Sequence, residues 1–506
     1  MRSTISYLIR FFQSISVRAP SQTIGKSETA IVMDGIYIEP EVAFMRITET
    51  GRGIGRVTNL HHAGARTVKR FILLTILLMG LLIAHVDAAT YYVATTGNDA
   101  NVGSSSAPWQ TLQKAANTMV AGDTTIVRNG TYTQGKLAFS GHSGTPSARI
   151  TLQAENRHLA ILSSTSSCDP GISLQASYIT IDGLRLTVSP NDVRCTASST
   201  GHYHIHTWDS GGYTGAWIKN VQIDNSNGYR FGAIKTRQDN SLIENNVLHE
   251  ELEVFRNINT IVRDNTIYAS VNGIVIKGGA RNTQSYNNVI HLTGLKAVAV
   301  YVGGCTGDPW FFDTAAKIES YNAAVYNNVV LNDVANQYND AFVFRSASNA
   351  TVFNNVTVNL NPVAMMLSCA TNPPPSANPT FVNNILIGNG ATNVKLLATF
   401  SGTKTVDYNN FYNFASGVPT QAHAITGNPN LVNNASDWHT QIGSPAIAAG
   451  TIVTMTGYDG AMIVVNRAKD GVIRPAGSAW DLGLYQTNGA ALDTTAPASP
   501  ANLAVQ

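Results

Sequence analysis

The chain has 506 residues, 13% of them charged, and a formal net charge of +2. It is long enough to bury a large core, and it lacks the dense basic charge that nonspecific nucleic-acid binding requires. Residues 1–89 hold ten Lys and Arg against six Asp and Glu, so residues 90–506 carry a net charge of −2. We therefore expect no nucleic-acid partner.

Residues 68–89 have the layout of a secretory signal peptide. Lys69 and Arg70 precede a 14-residue apolar run, and small residues follow it. The run is shorter than the roughly 20 residues that a membrane-spanning helix needs. Residues 1–67 show no sustained period, so we interpret them as an upstream extension; a signal anchor with a short cytoplasmic tail is the alternative. The segment predicts a secreted or cell-surface protein without stable membrane insertion after cleavage.

Four cysteines, Cys168, Cys195, Cys305 and Cys369, show no C-x-x-C spacing, which argues against a metal knuckle. Disulfides are permitted outside the cytoplasm. Cys168 and Cys195 could lie on adjacent coils and pair, and Cys305 with Cys369 is a second candidate pair.

The domain that begins at residue 90 opens with a strand at Tyr91–Val93, a Gly/Asn/Ser turn, a helix from about Pro108 to Met119, and a strand closing on Gly130–Tyr132. Proline at the helix start favours the helix, as does its apolar face, which consists of Leu112, Ala115, Ala116 and Met119. We expect this element to cap the open end of a solenoid, whose edges otherwise invite aggregation.

One short pattern recurs through the middle of the chain: an apolar residue, two polar positions, an Asn and, two places on, another apolar residue. Its asparagines are Asn246, Asn265, Asn288, Asn328, Asn355, Asn384 and the Asn409–Asn410 pair, with a weaker copy at Asn220. The period-two alternation within each copy indicates strands, and three short strands with turns fit into about 20 to 30 residues. We therefore predict an all-β fold, a parallel β-helix with an N-terminal capping helix.

The recurring Asn has a physical reason in such a solenoid. Its amide can bond the backbone of its own turn and the Asn of the coils above and below. The alternative is Asn in ordinary exposed turns, against which the fixed apolar neighbours argue.

Both ends of the domain resemble secreted right-handed parallel β-helix proteins of the pectin-lyase-like superfamily, which includes several polysaccharide lyase families. The motifs are YYV, G-N-D, P-W-x-T-L-Q-K-A, A-G-D-T and G-T-Y near the start and NLVNNASDWH, SPAIAAGT and DLGLY near the end. The resemblance covers about residues 90–487 and implies the fold more than the activity, because one scaffold hosts many chemistries. Residues 488–506 read as a Pro/Ala/Thr linker, and APASPANLAV resembles the first strand of a fibronectin type III module.

Outward residues of successive strands stack into a column along a solenoid, so a site is built from several coils. Alternation places Lys235 and Lys277 outward, and each lies 11 residues before the Asn of its coil. The spacing predicts that they share one column, two coils apart.

The coil between these lysines reads HEELEVFRN. Alternation places Leu252 and Val254 inward and Glu251 and Glu253 outward, whereas strict spacing from Asn265 would turn Val254 outward. We follow the alternation, because burying two unpartnered carboxylates would be costly. The outward strip then contains Lys235, Arg237, Glu251, Glu253, Arg256 and Lys277.

Such a strip suits β-elimination in a uronate-containing polysaccharide, where the site must neutralise a carboxylate and supply a base. Ca²⁺ held by Glu251 and Glu253 could do the first, and a lysine with a pKa lowered by cationic neighbours could do the second. The region resembles the alginate lyase and chondroitinase B family, whose pattern implies a Glu-x-Glu calcium pair, then a basic residue, here Arg256, and another on the next coil, here Lys277. That family has Lys first and Arg second, with a longer gap.

We thus predict Lys277, Arg256 and Lys235 as catalytic residues, Arg237, Tyr301 and Trp310 as substrate-binding residues, and Glu251 and Glu253 as ligands of Ca²⁺. Ordinary salt-bridged residues on a solvated sheet face are the alternative. His202, His204 and His206 alternate, and we interpret them as solvated histidines at a strand edge rather than as metal ligands. His249 and His291 are expected to decorate a turn.

The leading hypothesis is a secreted, monomeric lyase that cleaves an anionic polysaccharide. A noncatalytic glycan-binding or adhesive β-helix is the rival. A glycoside hydrolase ranks below, because it needs outward carboxylates placed as acid and base, and no third acid lies near Glu251 and Glu253.

Overall fold

The computed structural model describes residues 88–165, 170–188, 203–224, 232–307, 310–334, 339–360, 364–365, 374–391, 393–396 and 400–487. They belong to the second of two compact units, His85–Gln506. The predicted extension, the signal peptide except its last two residues, and the linker from residue 488 lie outside the described residues. Within the described part, no helix is long and apolar enough to span a membrane.

Three long sheets, paired in parallel throughout, wind along the domain, and successive coils add one strand to each. Sheet 1 has 12 strands: Thr90–Val93, Thr124–Val127, Ile150–Ala154, Ile179–Asp182, Trp217–Lys219, Leu242–Glu244, Ile261–Arg263, Gln284–Tyr286, Ala324–Tyr326, Thr351–Phe353, Thr380–Val382 and Thr405–Asp407. Sheet 2 has 11 strands: Gly130–Gln134, Ala160–Ser164, Arg185–Val188, Gln222–Ile223, Val247–His249, Thr266–Ala269, Val289–Leu292, Val329–Asn332, Val356–Leu360, Ile385–Gly388 and Asn410–Tyr412. Sheet 3 has eight strands: Leu137–Phe139, Ile172–Leu174, Tyr203–Thr207, Gly232–Thr236, Leu252–Phe255, Asn272–Lys277, Val298–Gly303 and Asp340–Arg345. This order confirms the predicted parallel β-helix.

Short strands complete the architecture. Sheet 4, which follows sheet 3 in the later coils, has five: Ala280–Arg281, Ser320–Tyr321, Ala347–Ser348, Ser376–Ala377 and Phe400–Ser401. A parallel pair joins Ala364–Met365 to Lys395–Leu396. Two antiparallel pairs lie in the C-terminal segment, Leu431–Asn433 with Asp437–Thr440 and Met455–Thr456 with Met462–Ile463.

The described helix spans Leu112–Thr118, shorter than the predicted span from Pro108. Trp109 instead bridges to Val93 in parallel, which keeps the preceding residues extended. Thr111 is the N-cap, and its side chain accepts a hydrogen bond from the Lys114 amide at 3.1 Å. The predicted apolar face is buried in the core.

The core is a set of aliphatic stacks inside the coil. In sheet 3, for example, Ile205, Ile234, Leu252 and Ile274 pair in register through consecutive strands, and each is fully buried. Because parallel in-register strands repeat the same position every coil, each side chain covers the one before it. The burial of apolar area that stabilises the domain is thus shared between neighbouring coils.

The recurring asparagines form an internal ladder, as predicted. Each Asn donates its side-chain amide to the side-chain oxygen of the next, over distances of 2.9 to 3.0 Å, from Asn246 to Asn409. The backbone amide of each donates to the same oxygen. Gln421 takes the next place, since its side-chain oxygen accepts from the Asn409 amides.

The residue before each ladder Asn has a left-handed backbone, which sorts out two ambiguous positions. In the last coil Tyr408 holds this conformation, with a φ of 55°, so Asn409 and not Asn410 enters the ladder. Asn220 holds it in the first copy, with a φ of 56°, and Val221 takes the ladder position and donates its amide to Asn246 at 2.9 Å. Asn220 is therefore not a ladder residue, because its side chain bonds Asp182.

Substituting a central ladder residue should destabilise the domain more than substituting a surface asparagine. Asn288→Ala removes bonds to the Asn of both neighbouring coils and leaves buried amide groups unpartnered, which we expect to cost about 3 kcal/mol. Asn434→Ala, at an exposed position, is the control. Denaturant unfolding followed by circular dichroism measures the stability of both variants. Equal denaturant midpoints for the two would show that the ladder does not contribute more to stability than a surface asparagine.

Candidate active site

The site lies on the outward face of sheet 3, where the alternation predicted it. Leu252 pairs with Ile234 and Ile274, and Val254 pairs with Ile276, and all are buried in the core. The spacing argument that would have turned Val254 outward is therefore wrong.

The predicted single column of lysines is also wrong. Lys235 pairs with Glu253, which pairs with Val275, whereas Lys277 pairs with Phe255. Lys277 thus lies two positions further along its strand than the column of Lys235. The reason is coil length: Glu253 lies 12 residues and Val275 lies 13 residues before the Asn of its coil, so distance from the Asn does not fix a column.

Despite this offset, both lysines meet on one carboxylate. The Nζ of Lys235 lies 2.6 Å from Oε1 of Glu253, and the Nζ of Lys277 lies 2.9 Å from Oε2. Glu253 is 1% exposed. Burial alone would raise the pKa of its carboxyl, but Lys277 and Lys235 outweigh burial and lower it, so Glu253 is a fixed anion at neutral pH.

Glu251 lies beside Glu253 but has a different environment. Its carboxylate accepts hydrogen bonds from the Tyr203 hydroxyl at 2.8 Å and from the Asn272 amide at 2.6 Å. Burial, followed by repulsion from Glu253, raises the pKa of Glu251 to about 7. The two carboxyls therefore hold their protons at very different pH, although they share Tyr203, whose hydroxyl lies 3.0 Å from Glu253.

Lys277 is the most accessible member of this cluster. Its side chain is 26% exposed, against 9% for Lys235 and 2% for Glu253. Burial lowers the pKa of Lys277, but the charges of Glu253 and Glu251 outweigh it and raise the pKa above its usual value. The expectation of a lysine with a lowered pKa is therefore wrong for Lys277, which is protonated at neutral pH.

The Glu251–Glu253 pair, as arranged here, does not fit a calcium ion. Both oxygens of Glu253 contact ammonium groups, which would repel a dication, and those of Glu251 accept hydrogen bonds from neutral donors. Within the described ranges, no three His, Cys, Asp or Glu side chains are grouped as metal ligands. Calcium binding by this pair stays a prediction, and it would need both ammonium groups to move.

Two arginines beside Lys277 are left without a carboxylate partner in the described part of the chain. Arg256 donates its backbone amide to the Lys277 carbonyl at 3.2 Å, and its buried Nε has no hydrogen-bond partner. Arg345 lies two strands away from Lys277 in sheet 3, where it pairs with Gly303 of the intervening strand. Its guanidinium lies 5.2 Å from the Tyr301 ring. Arg237, by contrast, is neutralised by Asp209 at 2.9 Å. Glu319 also acts on Lys277 through its charge, so the surplus of positive charge on the accessible side of the cluster comes from Arg256 and Arg345.

The predicted aromatic residues lie on and beside this face. Tyr301 pairs with Val275 in the outward column, and burial raises the pKa of its hydroxyl against the opposing effect of Arg345, with smaller contributions from Asp340 and Glu251. Trp310 is 47% exposed in the insert that runs from Gly304 to Glu319. That insert is anchored at Lys277, because Glu319 accepts a hydrogen bond from Gly278 at 2.8 Å.

The histidines differ from expectation. His204 and His206 are buried rather than solvated, and His202 lies outside the described residues. His206 pairs with Lys235 in the outward column, and burial together with Lys235 and Arg237 lowers its pKa to about 3, so it is neutral.

His249 and His291 lie in strands of sheet 2 and not at a turn. They stack on either side of Tyr268 at 4.6 and 4.8 Å. Their role is therefore packing on another face of the coil.

Sequence reasoning missed several members of the site. Tyr203 donates hydrogen bonds to both glutamates, and Asn272 donates one to Glu251. Glu319 anchors the insert through Gly278, and Arg345 adds positive charge. The signal for Arg345 was available in the sequence, since DAFVFR repeats the alternation of GIVIK two coils later. Nothing in the sequence pointed to Tyr203, because strand alternation pairs it with an inward position.

Cys305, in the same insert, is disulfide-bonded. The other three cysteines lie outside the described residues, so the predicted pairs stay predictions.

The raised pKa of Glu251 predicts how stability depends on pH. The Glu251 carboxyl holds its proton more tightly in the folded protein than in the unfolded chain. The folded state therefore loses stability as pH rises from the pKa of the unfolded chain, near 4.5, to the folded pKa of about 7. Glu251→Gln should remove that decline, so the variant should gain stability over the wild type as pH rises from 5 to 8. Glu155→Gln, at an exposed position, is the control. Urea unfolding at several pH values measures the difference, and an unchanged slope for Glu251→Gln would contradict the assignment.

The fold and the site can now be compared with known proteins. Residues 91–297 match the family described as Pel9A-like, right handed beta helix region. Pectate lyase PEL9 of Emericella nidulans is 30% identical over 159 residues, which are 28% of this chain. The match spans only 39% of that relative's length.

A solved structure agrees on the fold. The complex of XylC with xylose superposes with a TM-score of 0.51 at 12% identity, over 79% of this chain and 98% of that chain. Pectate lyase Pel9A superposes with a TM-score of 0.40 at 15% identity, over 80% and 98% of the two chains. The chain is therefore a parallel β-helix protein, and its residues 91–297 are similar to the Pel9A-like right-handed β-helix region.

Proposed function

We propose that this protein is a polysaccharide lyase that cleaves a uronate-containing polymer by β-elimination on the outward face of sheet 3. The observation that carries the proposal is the surplus of cations around Lys277, with Arg256 and Arg345 unpaired by any carboxylate in the described residues. A uronate carboxylate would supply the missing counter-charge, since arginine binds carboxylates through paired hydrogen bonds.

Neutralising that carboxylate also promotes the chemistry. The proton on the adjacent carbon is weakly acidic, and it becomes easier to remove when cations stabilise the negative charge that develops on the carboxylate. Arg256 is held next to Lys277 by the hydrogen bond from its backbone amide to the Lys277 carbonyl. Lys235, buried on the far side of Glu253, adds to the positive potential without reaching the surface.

We assign proton abstraction to Lys277. Its unprotonated Nζ takes the proton from C5 of the uronate, the electron pair forms the C4–C5 double bond, the C4–O4 bond breaks, and the leaving O4 takes a proton from water. Tyr301, whose hydroxyl keeps its proton because its pKa is raised, is placed on the same face to bind the leaving sugar. Trp310 offers an exposed ring for stacking in the same insert.

The relatives support the substrate class. The curated relative is named a pectate lyase, and the matching family is named for Pel9A, whose solved structure is that of a pectate lyase. Because the match covers less than half of the relative, the activity of that protein is carried over here only as a proposal. We also infer that the protein acts outside the cell, from the predicted signal peptide and from the disulfide at Cys305.

Incubation with pectate, alginate and chondroitin should release unsaturated uronate from at least one of them, seen as ultraviolet absorbance. Lys277→Ala should then lower kcat/KM about 1,000-fold, the loss typical of a missing general base. The variant should fold, because Glu253 keeps its contact with Lys235.

Lys404→Ala, which removes an exposed lysine from another part of the coil, is the matched control and should leave the rate unchanged. Wild-type activity in Lys277→Ala would place the base elsewhere. Binding without elimination, on all three polymers, would favour the noncatalytic glycan-binding alternative.

The raised pKa of Lys277 also fixes the direction of the pH profile. Only the unprotonated amine can act as a base, and its fraction rises about tenfold per pH unit below the pKa. With the substrate saturating, the rate should therefore climb from pH 7 to pH 10. A profile that peaks below pH 8 would rule out Lys277 as the base.

A further inference from the structure

Arg281 is a cation without a carboxylate partner among the described residues, and it lies one turn beyond Lys277. It belongs to the first strand of sheet 4, and its backbone amide donates to Asn257 at 2.8 Å. Gly278 and Gly279, both with positive φ, form the turn that separates it from Lys277. Four residues span at most about 14 Å, so the two cations are within reach of one short oligosaccharide.

The guanidinium of Arg281 is held by aromatic rings. Its central carbon lies 4.0 Å from the ring centre of Tyr458 and 4.3 Å from that of Phe312, with Tyr321 at 5.6 Å. Tyr458 and Phe312 are 49% and 42% exposed, so this group of rings faces solvent. Its Nε is buried and has no hydrogen-bond partner. A planar cation fixed in this way loses little further freedom when it binds a carboxylate.

The group is tied to the site by short contacts. Phe312 donates its backbone amide to Gly278 at 2.8 Å, and a side chain at Gly279 would collide with Phe312. On the other side, Tyr458 donates its backbone amide to Asn282 at 2.6 Å. Arg281 therefore connects the insert that carries Trp310 to the C-terminal segment.

Beyond Tyr458 lies a cleft of about 650 Å³ between the C-terminal segment and the coil. Its volume is that of an ordinary ligand pocket, and its lining contains no charged side chain. The side chains are amides, hydroxyls and aromatic rings, contributed mainly by Tyr321, Asn322, Asn349, Asn378, Thr456 and Tyr458. Such groups match the hydroxyls of a sugar ring, which offers both donors and acceptors.

We propose that Arg281 and this cleft form a distal subsite for the polysaccharide, in which Arg281 binds the carboxylate of a second uronate and the cleft takes the sugar beyond it. The proposal rests on the proposed function for its substrate class. It adds that longer oligosaccharides bind more tightly than those that reach only Lys277.

Titration calorimetry tests this with hexasaccharides and trisaccharides of galacturonate, mannuronate and chondroitin, in the Lys277→Ala background so that nothing is cleaved. At least one hexasaccharide should bind, and Arg281→Ala should weaken it about tenfold or more, the loss expected for a charged hydrogen bond. Tyr458→Ala should weaken the same ligand, and Arg281→Lys should fall in between. The trisaccharide of that series should bind more weakly, because it cannot fill the cleft and the region around Lys277 together.

Arg128→Ala is the matched control, because Arg128 also lies over an aromatic ring, Tyr92 at 5.5 Å, but at the N-terminal end of the coil. Circular dichroism and thermal melts check that each variant is folded. Equal hexasaccharide affinities with and without Arg281, or no binding of any hexasaccharide, would overturn the subsite.

If the lyase assay shows no elimination but a hexasaccharide still binds and Arg281→Ala weakens it, the catalytic proposal is overturned and the subsite is not. In an active enzyme, Arg281→Ala should raise KM for the polymer and leave kcat within about twofold, because Arg281 does not touch the reacting atoms. A loss confined to kcat would show that Arg281 acts on the chemistry and would contradict its role as a binding residue.

Discussion

The register of the coils depends on the internal asparagine ladder. A parallel sheet is uniform along its length, so nothing in its backbone pairing prevents one strand from sliding by two residues past its neighbour. The ladder prevents this, because each Asn side chain must reach both the backbone and the side chain of its neighbours. The preceding residue adopts a left-handed backbone, which turns the chain so that the amide points inward. This contact aligns the coils where sheet 1 turns into sheet 2, whereas the columns of sheet 3 also depend on the number of residues in the turn after each of its strands.

Within that frame, Glu253 organises the site. A carboxylate with 1% exposure would be strongly destabilising alone, and two ammonium groups compensate it. Glu253 between two lysines leaves one positive charge, which Glu319 offsets in part at Lys277, and Glu251 can stay protonated near neutral pH. The arrangement gives Lys277 a fixed position at the surface, at the cost of a raised pKa. Position and basicity are thus both set by the same contact.

The sequence pattern was sufficient for the fold, since an alternating strand and an inward Asn are local features that repeat. It was also sufficient for the outward direction of Glu253, because alternation is decided within one strand. It failed for Lys235 and Lys277, whose alignment depends on the number of residues in the turn after each strand of sheet 3. It failed again for Tyr203, whose hydroxyl reaches the glutamates from two coils before. Register between coils and long side-chain reach are tertiary properties that spacing from a single Asn does not encode.

The turn after sheet 3 carries both backbone strain and unpaired charge. Arg256 has a φ of 56° there, a conformation that costs a non-glycine residue about 1 kcal/mol or more. Among the described residues Arg256 has no carboxylate partner, so an ion pair there does not account for an arginine at this position. One coil later, glycines occupy the strained positions of the turn and the cation moves to Arg281, again without a carboxylate in the described chain. An unneutralised arginine thus follows sheet 3 in two successive coils of the described chain, which is the charge that the proposed binding of an anionic polymer requires.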